Sequence, residues 1–398
     1  MVFKKDELRL LWPYYLAAFL FGASMLIAPF LIIYLRDLGF SFLKIELIFA
    51  IILVAVFFFE IPTGAFADLH GRKLSTLLGY LLIGFASLAI YFVEGHILFF
   101  LCWALFGLAQ TFISGAEEAW IVDYLKFNKR KDLVHEYFMK VASIIGVGFI
   151  ISPLIAGILV EYYSIRLLWM IQAFGFFSGA VILFIFAHEH FKKKRIKITK
   201  SVKETIKITK TSINYSLKHK VLLLLIIAGV FAGLTRIGFD GWQPALVNLG
   251  LPVAQLGYLF SAVGVVTVIS PFLSKYFMKK FKSKYSLILL VGLESMFYLM
   301  LLLIYPPLFY YAALIFLLTN GFVGIRKPIE NTYFQKFIPS KIRATVTSCT
   351  RMASSLFIGI AAIGAGYLMD ILTPKIVIAL GGLFCIPAII FYLKIKEK

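Results

Sequence analysis

Long apolar runs alternating with short polar connections dominate this chain. Twelve such runs fall roughly at 11–35, 45–67, 74–93, 97–125, 137–160, 167–187, 221–247, 254–274, 285–304, 308–333, 345–369 and 376–393. A helix needs about 20 apolar residues to cross the hydrocarbon core of a bilayer, and these runs are long enough. Backbone N–H and C=O groups find no water in lipid, so each run must satisfy them internally, as a helix. The alternating segments of about ten residues that mark a membrane β-barrel do not occur in the sequence. The pattern predicts an all-α integral membrane protein with twelve transmembrane helices.

One long polar stretch, His188 to Lys220, interrupts the series. It sets off an N-terminal six-helix bundle (1–187), a basic cytoplasmic linker (188–220) and a C-terminal six-helix bundle (221–398). In the linker, Val202, Ile206, Ile213 and Leu217 fall at helical spacing among lysines. That suits an amphipathic helix on the inner leaflet, held partly by anionic lipid. A solvated tether accounts for the same residues, and both readings stand.

Composition agrees with the pattern. The chain is 61% hydrophobic, with a mean hydropathy of +0.92, whereas a soluble domain is about half apolar. The net charge of +20 raises nucleic acid as a partner, but the placement of the cations excludes it. Counted from the N-terminus, the odd-numbered gaps between runs hold only Arg36, Lys44, Arg166 and Lys375, and most other Lys and Arg fall in the termini and even-numbered gaps. Short cytoplasmic loops carry that excess. Both termini are therefore expected in the cytoplasm, with the protein multi-pass in the cell membrane. Cys102, Cys349 and Cys385 lie within runs and lack metal spacing. No cofactor is expected.

The two halves carry a faint repeat. Leu35-x-x-Leu38-Gly39 recurs as Leu246-x-x-Leu249-Gly250, and Gly157-Ile158-Leu159-Val160-Glu161 recurs as Gly366-Tyr367-Leu368-Met369-Asp370. The offsets, 211 and 209 positions, nearly agree. Parallel six-helix repeats are a transporter architecture with substrate near the midplane.

Gly64-Ala65-Phe66-Ala67-Asp68-Leu69-His70-Gly71-Arg72-Lys73 links the second and third runs. It resembles the signature loop G-x-x-x-D-x-x-G-R-K of the major facilitator superfamily. The resemblance implies a twelve-helix transporter and a cytoplasmic latch built from Gly64, Asp68, Gly71, Arg72 and Lys73. It also implies that Arg72 pairs with an acidic residue at the cytoplasmic end of the fourth helix, where Asp123 stands. The matching stretch of the second half, Ser274 to Lys284, keeps the charge but has neither Asp nor Gly. In the fifth run, Gly148, Ser152, Pro153, Ala156 and Gly157 resemble the antiporter motif of that superfamily's drug–proton exchangers, with two glycines replaced by Ser152 and Ala156. An ordinary small-residue packing face is the alternative to that motif.

Charges inside the membrane are costly and usually mark a polar cavity. They fall in the fourth run (Glu117, Glu118), the seventh (Arg236, Asp240) and the tenth (Arg326, Lys327, Glu330), with Glu294 in the ninth unaccounted for. By resemblance, helices 1, 4, 7 and 10 line the central cavity. At about 1.5 Å per residue, Glu117 lies roughly 12 Å from the inner end of its run, near the midplane. On a continuous helix, Gln110, Ser114, Glu117 and Glu118 form one polar stripe. Pseudosymmetry sets Glu117 opposite Arg326. Arg236 with Asp240 and Arg326 with Glu330 are also i, i+4 pairs that could neutralise each other. Trp120 and Trp242 could form an aromatic wall for a hydrophobic cation.

These features point to a secondary transporter exporting small amphipathic compounds by alternating access. Protons are the expected coupling ion, and proton coupling or substrate binding is expected at Glu117, Glu118, Asp240, Arg236 and Arg326. The expected partners are a small-molecule substrate, protons and membrane lipid, with the chain a monomer and no nucleic acid bound. An uptake symporter for an anionic metabolite and a non-transporting receptor or scaffold are the alternatives. No nucleotide-binding loop, nucleophile motif or histidine cluster supports an ATP-driven pump or an enzyme.

Overall fold

A computed structural model of the chain describes residues 5–93, 95–190, 214–339 and 342–395. Every regular element among them is helical, and eleven helices are long and apolar enough to cross a membrane. The twelfth span is the first, expected as one helix over 11–35. It is broken into Lys5–Ala23 and Leu31–Asp37, with turns between. Pro29 lies in the break; its ring crowds the preceding residue out of the helical region and it has no N–H to donate.

Three more expected helices are interrupted. The twelfth run folds as Pro374–Gly381, a 3-10 turn at Gly382–Phe384, and Cys385–Lys394. The fourth run folds as His96–Ile113 and Ala116–Phe127. The seventh folds as Lys220–Leu234, a 3-10 turn at Phe239–Gly241, and Trp242–Asn248. Irregular backbone at membrane depth is tolerated only where protein buries it or where it lines a cavity.

The chain forms two compact units. The first holds the described residues of Met1–Phe40, Leu47–Arg195 and Val253–Gly264; the second holds those of Ser41–Glu46, Ile196–Pro252 and Val265–Lys398. In the first, Arg72–Phe92 packs between His96–Ile113 and Leu167–Phe186, while Lys5–Ala23 packs on Leu133–Tyr162. In the second, Ser283–Met300 packs on Phe309–Gln335, and Lys220–Leu234 on Cys385–Lys394, around a core that includes Leu225, Leu287, Leu290, Ile329 and Tyr392. Phe57, Phe58, Ile61, Phe92 and Ile97 are exposed, as side chains solvated by lipid rather than water would be. Of the expected linker helix, Val202, Ile206 and Ile213 lie outside the described residues; Leu217 is exposed.

The sequence repeat marks matching contacts. Gly366 sits against the opening turn of Phe42–His70, where a Cβ would stand 2.8 Å from the Phe42 carbonyl oxygen. Gly157 sits against the residues that open Gln255–Lys280, where a Cβ would stand 2.9 Å from the Ala254 carbonyl oxygen. Asp370, in the same repeat, accepts the backbone N–H groups of Phe42 and Leu43 at 2.8 and 2.9 Å. A carboxylate there satisfies orphan donors and meets the positive end of the helix dipole.

Candidate functional site

The signature loop builds a charged knot in the first unit. Gly71 takes φ of +110°, a conformation a side chain disfavours, and ends one helix just before Arg72–Phe92 begins. Arg72 Nη1 donates to Asp123 Oδ2 and to the Ala119 carbonyl at 2.9 Å. Its Nη2 lies 3.8 Å from Asp68. Lys73 Nζ donates to the carbonyls of Phe184 and Ala187 at 2.8 and 2.7 Å, placing a cation at the negative end of Leu167–Phe186. Gly64 has open space where a Cβ would go.

Glu189 completes this knot and was not expected from the sequence. Its Oε1 accepts the Arg72 backbone N–H at 2.6 Å, capping a helix that starts with two cations. Its chain position, just beyond the sixth run, gave no periodic signal. Nearby, Arg130 bonds Asp6 at 2.6 Å, and that hydrogen bond holds the Asp6 carboxyl below the usual carboxylate range. Lys140 Nζ bonds both oxygens of the buried Glu7 at 2.6 and 2.7 Å.

The fifth-run motif is a close-packing face. Gly148 meets the backbone of Gly22 and Ala23, and Gly157 meets Ala254 and Gly257. Ser152, Pro153, Ala156 and Gly157 are all buried.

The expected polar stripe at Gln110, Ser114, Glu117 and Glu118 is not continuous. The helix ends at Ile113 and restarts at Ala116, because Gly115 takes φ of +67°, a region that glycine enters without steric cost. Glu117 and Glu118 consequently occupy the first turn of a new helix, where its dipole favours carboxylates. Ser114 Oγ donates to Glu60 Oε1 at 2.9 Å. Glu60 is a second residue that sequence reasoning missed, although a carboxylate inside the second run is the sort of intramembrane charge that marks a site. Trp120 is no ligand wall: it is buried, its Nε1 donates to the His188 carbonyl at 3.0 Å, and it packs on Tyr14.

Within the second unit, Arg236, Asp240, Arg326 and Lys327 converge on one cavity of about 780 Å³. Small-molecule pockets run to roughly 300–1,000 Å³. The expected i, i+4 carboxylates, Asp240 and Glu330, face Arg236 and Arg326 electrostatically, and each arginine has a further partner from elsewhere in the second unit. The helix stops at Leu234, so Arg236 turns to donate to Asn320 Oδ1 at 3.1 Å and stacks over Phe239. Arg326 forms an ion pair with Glu294 at 3.4 Å, which gives Glu294 its account. Glu330 lies against Gly229. Glu46, also missed in the sequence, lines the cavity and hydrogen-bonds to Asp240. Trp242 is buried against Phe316. Glu117 and Glu118 lie in the other unit.

A family model described as Major Facilitator Superfamily matches residues 14–362. The chain belongs to the Major Facilitator Superfamily. It is therefore a multi-pass membrane transporter and not an enzyme. An uncharacterized MFS-type transporter of Bacillus subtilis (strain 168), YxaM, is 27% identical over 341 residues, covering 82% of this chain and 81% of its own length. Multidrug resistance protein MdtG of Yersinia enterocolitica is 30% identical over 190 residues, 46% of this chain and 44% of that protein. The crystal structure of nucleoside transporter NupG superposes with a TM-score of 0.74 at 15% identity, covering 99% of this chain and 100% of that one. That likeness shows the superfamily fold, in which two six-helix halves make a twelve-helix all-α protein.

Proposed function

We propose that this superfamily member is a proton-coupled exporter of small amphipathic compounds, working by alternating access in the cell membrane with both termini cytoplasmic. The observation that carries the reading is a cavity at membrane depth with ionisable and apolar walls together. Glu46, Asp240, Arg236 and Lys327 share it with Ile237, Phe239, Val323 and Ile358. Charges are kept inside a membrane where a pathway uses them. MdtG, a similar protein, carries the name of a multidrug resistance protein, which favours export over uptake. Glu117 and Glu118, in the first turn after the Gly115 break, are the carboxyls assigned to proton exchange. The knot of Asp68, Arg72, Lys73 and Asp123 is the cytoplasmic latch, and the monomer, solvated by lipid, is the working unit. The driving force suffices: one elementary charge crossing 100 mV releases about 2.3 kcal/mol.

Cells expressing the protein test this directly with a series of anionic, neutral and cationic amphipathic fluorophores. Energised cells with the wild-type chain should accumulate less of at least one fluorophore than cells with Glu117→Gln, and a protonophore should erase the difference. Equal accumulation across the series, with both proteins in the membrane, contradicts the proposal.

A further inference from the structure

The two units treat the cations at their helix ends differently. In the first, Arg72, Lys126, Arg130 and Lys140 each form an ion pair with a carboxylate. In the second, Lys275, Lys279, Lys280, Lys282, Lys284 and Lys394 have no carboxylate partner among the described residues. The elements that carry them explain why: residues 241–293 and 371–395 contain no Asp or Glu. All of these lysines except Lys284 are exposed. Orienting a chain in a membrane takes cations on one side, but it does not require that they go unpaired.

Lys284 gathers the patch. Its Nζ donates to the carbonyls of Leu393 and Ile395 at 2.9 and 2.8 Å. That brings the end of Cys385–Lys394, and Lys394 with it, beside the turn joining Gln255–Lys280 to Ser283–Met300. Like charges collected without counter-ions repel one another, and a bound anion relieves the repulsion.

An apolar stripe leads into this patch. Phe272, Tyr276, Lys279 and Lys280 fall at i, i+4, i+7 and i+8 of Gln255–Lys280, on one helix face. Phe272 and Tyr276 are 72% and 61% exposed, so in a membrane-spanning chain they meet acyl chains. Lys280 Nζ stands 6.0 Å from the centroid of the Tyr276 ring and 5.7 Å from that of Phe281. Aromatic belts mark the headgroup level of a bilayer, and long lysine stems carry their charge up to it. The stripe is therefore apolar along one stretch and cationic at its end, as a phospholipid is apolar along its chains and charged at its head.

We propose that this rim holds an anionic phospholipid, its phosphate among Lys279, Lys280 and Lys282 and an acyl chain along Phe272 and Tyr276. Lys284 and Lys394 complete the positive field around the headgroup. A soluble phosphate would meet the same cations but make no use of the stripe. The site goes beyond the transport reading and does not depend on it; the topology of that reading places the lipid in the cytoplasmic leaflet.

Lipid titration of the purified full-length protein in an uncharged detergent, with bound lipid counted by native mass spectrometry, tests the site. Phosphatidylglycerol should bind about tenfold or more tightly than phosphatidylcholine with the same acyl chains, since each lysine near an anionic surface contributes about fivefold. Lys280→Gln should weaken phosphatidylglycerol by about fivefold. Lys279→Gln, Lys280→Gln and Lys282→Gln combined should weaken it by about tenfold or more and leave phosphatidylcholine unchanged. Arginine at the same three positions should keep the preference, which separates charge recognition from misfolding. Acetylation of Lys279 and Lys280, read by peptide mass spectrometry, should slow with phosphatidylglycerol and not with phosphatidylcholine. Equal binding of the two lipids, or a triple glutamine variant that binds phosphatidylglycerol as the wild type does, overturns the proposal and leaves the lysines to orient the chain. Displacement of the lipid by an equal concentration of free glycerol phosphate also overturns it, since the site would then take a soluble anion.

Discussion

Arg326 Nη2 and Glu294 Oε2 stand 3.4 Å apart within the second unit, at 5% and 0% exposure. Glu294 Oε1 also accepts from Thr235 at 3.1 Å and from Tyr298 at 3.5 Å. This buried pair joins Ser283–Met300 to Phe309–Gln335 and holds one wall of the cavity. Desolvating two charges is costly, and their attraction offsets that cost only while both are present.

Removing one partner should therefore hurt more than removing both. Glu294→Gln leaves the Arg326 charge buried without its counter-ion and should cost about 3–5 kcal/mol, read as a lowered midpoint of thermal unfolding. Glu294→Met combined with Arg326→Met should recover most of it. A double variant less stable than the single one contradicts this view of the pair.

The helix Arg72–Phe92 begins with two cations at an end where a helix already carries partial positive charge, and Glu189 compensates. Glu189→Ala should cost about 1 kcal/mol, as loss of a cap does, and should speed amide hydrogen exchange at Arg72. Unchanged exchange there argues against the cap.

Close backbone approach between Leu133–Tyr162 and Gln255–Lys280 depends on glycine. A Cβ on Gly257 would stand 2.3 Å from the Pro153 carbonyl oxygen and 2.6 Å from Gly157 Cα. Gly257→Ala should destabilise by about 1–3 kcal/mol through overpacking. Gly364→Ala, with open space around it, should be neutral or stabilising by up to about 1 kcal/mol. Equal effects at the two positions refute the contact.

Twelve helices were legible because lipid forces each apolar run to satisfy its own backbone, so hydropathy and length suffice. Three of the breaks, in the first, fourth and seventh runs, were less legible. They depend on Pro29, on the positive φ of Gly115 and on the short 3-10 turn at Phe239–Gly241, and apolar composition continues through all three. Arg72 with Asp123 followed from the signature loop. Arg236, Asp240 and Arg326 stand out in the sequence as charges in apolar runs, but only part of their surroundings does. Helical spacing suggested Asp240 for Arg236 and Glu330 for Arg326, which do interact with them, and the tertiary fold adds Asn320 and Glu294. Glu46 escaped notice because it sits at the edge of a run and meets Asp240 only through long-range packing.

The signature arginine should serve the transport cycle more than the fold. Both carboxylates near it are partly exposed, and ion pairs of that kind contribute about 0.2–1 kcal/mol. Arg72→Gln should accordingly leave membrane expression and unfolding temperature almost unchanged while lowering flux by about tenfold or more, a cost of about 1.4 kcal/mol to the transport step. A variant that unfolds, or one that transports normally, counts against the latch.

Proton-coupled transport is the central claim, and proton movement across a sealed bilayer tests it most directly. Purified protein is reconstituted into liposomes with a pH-sensitive dye inside and an imposed proton gradient, and anionic, neutral and cationic amphipathic compounds are added in turn. The account predicts that at least one compound of the series dissipates the gradient faster through the wild-type protein than through Glu117→Gln or in protein-free liposomes. A gradient that decays at the same rate in all three preparations contradicts it.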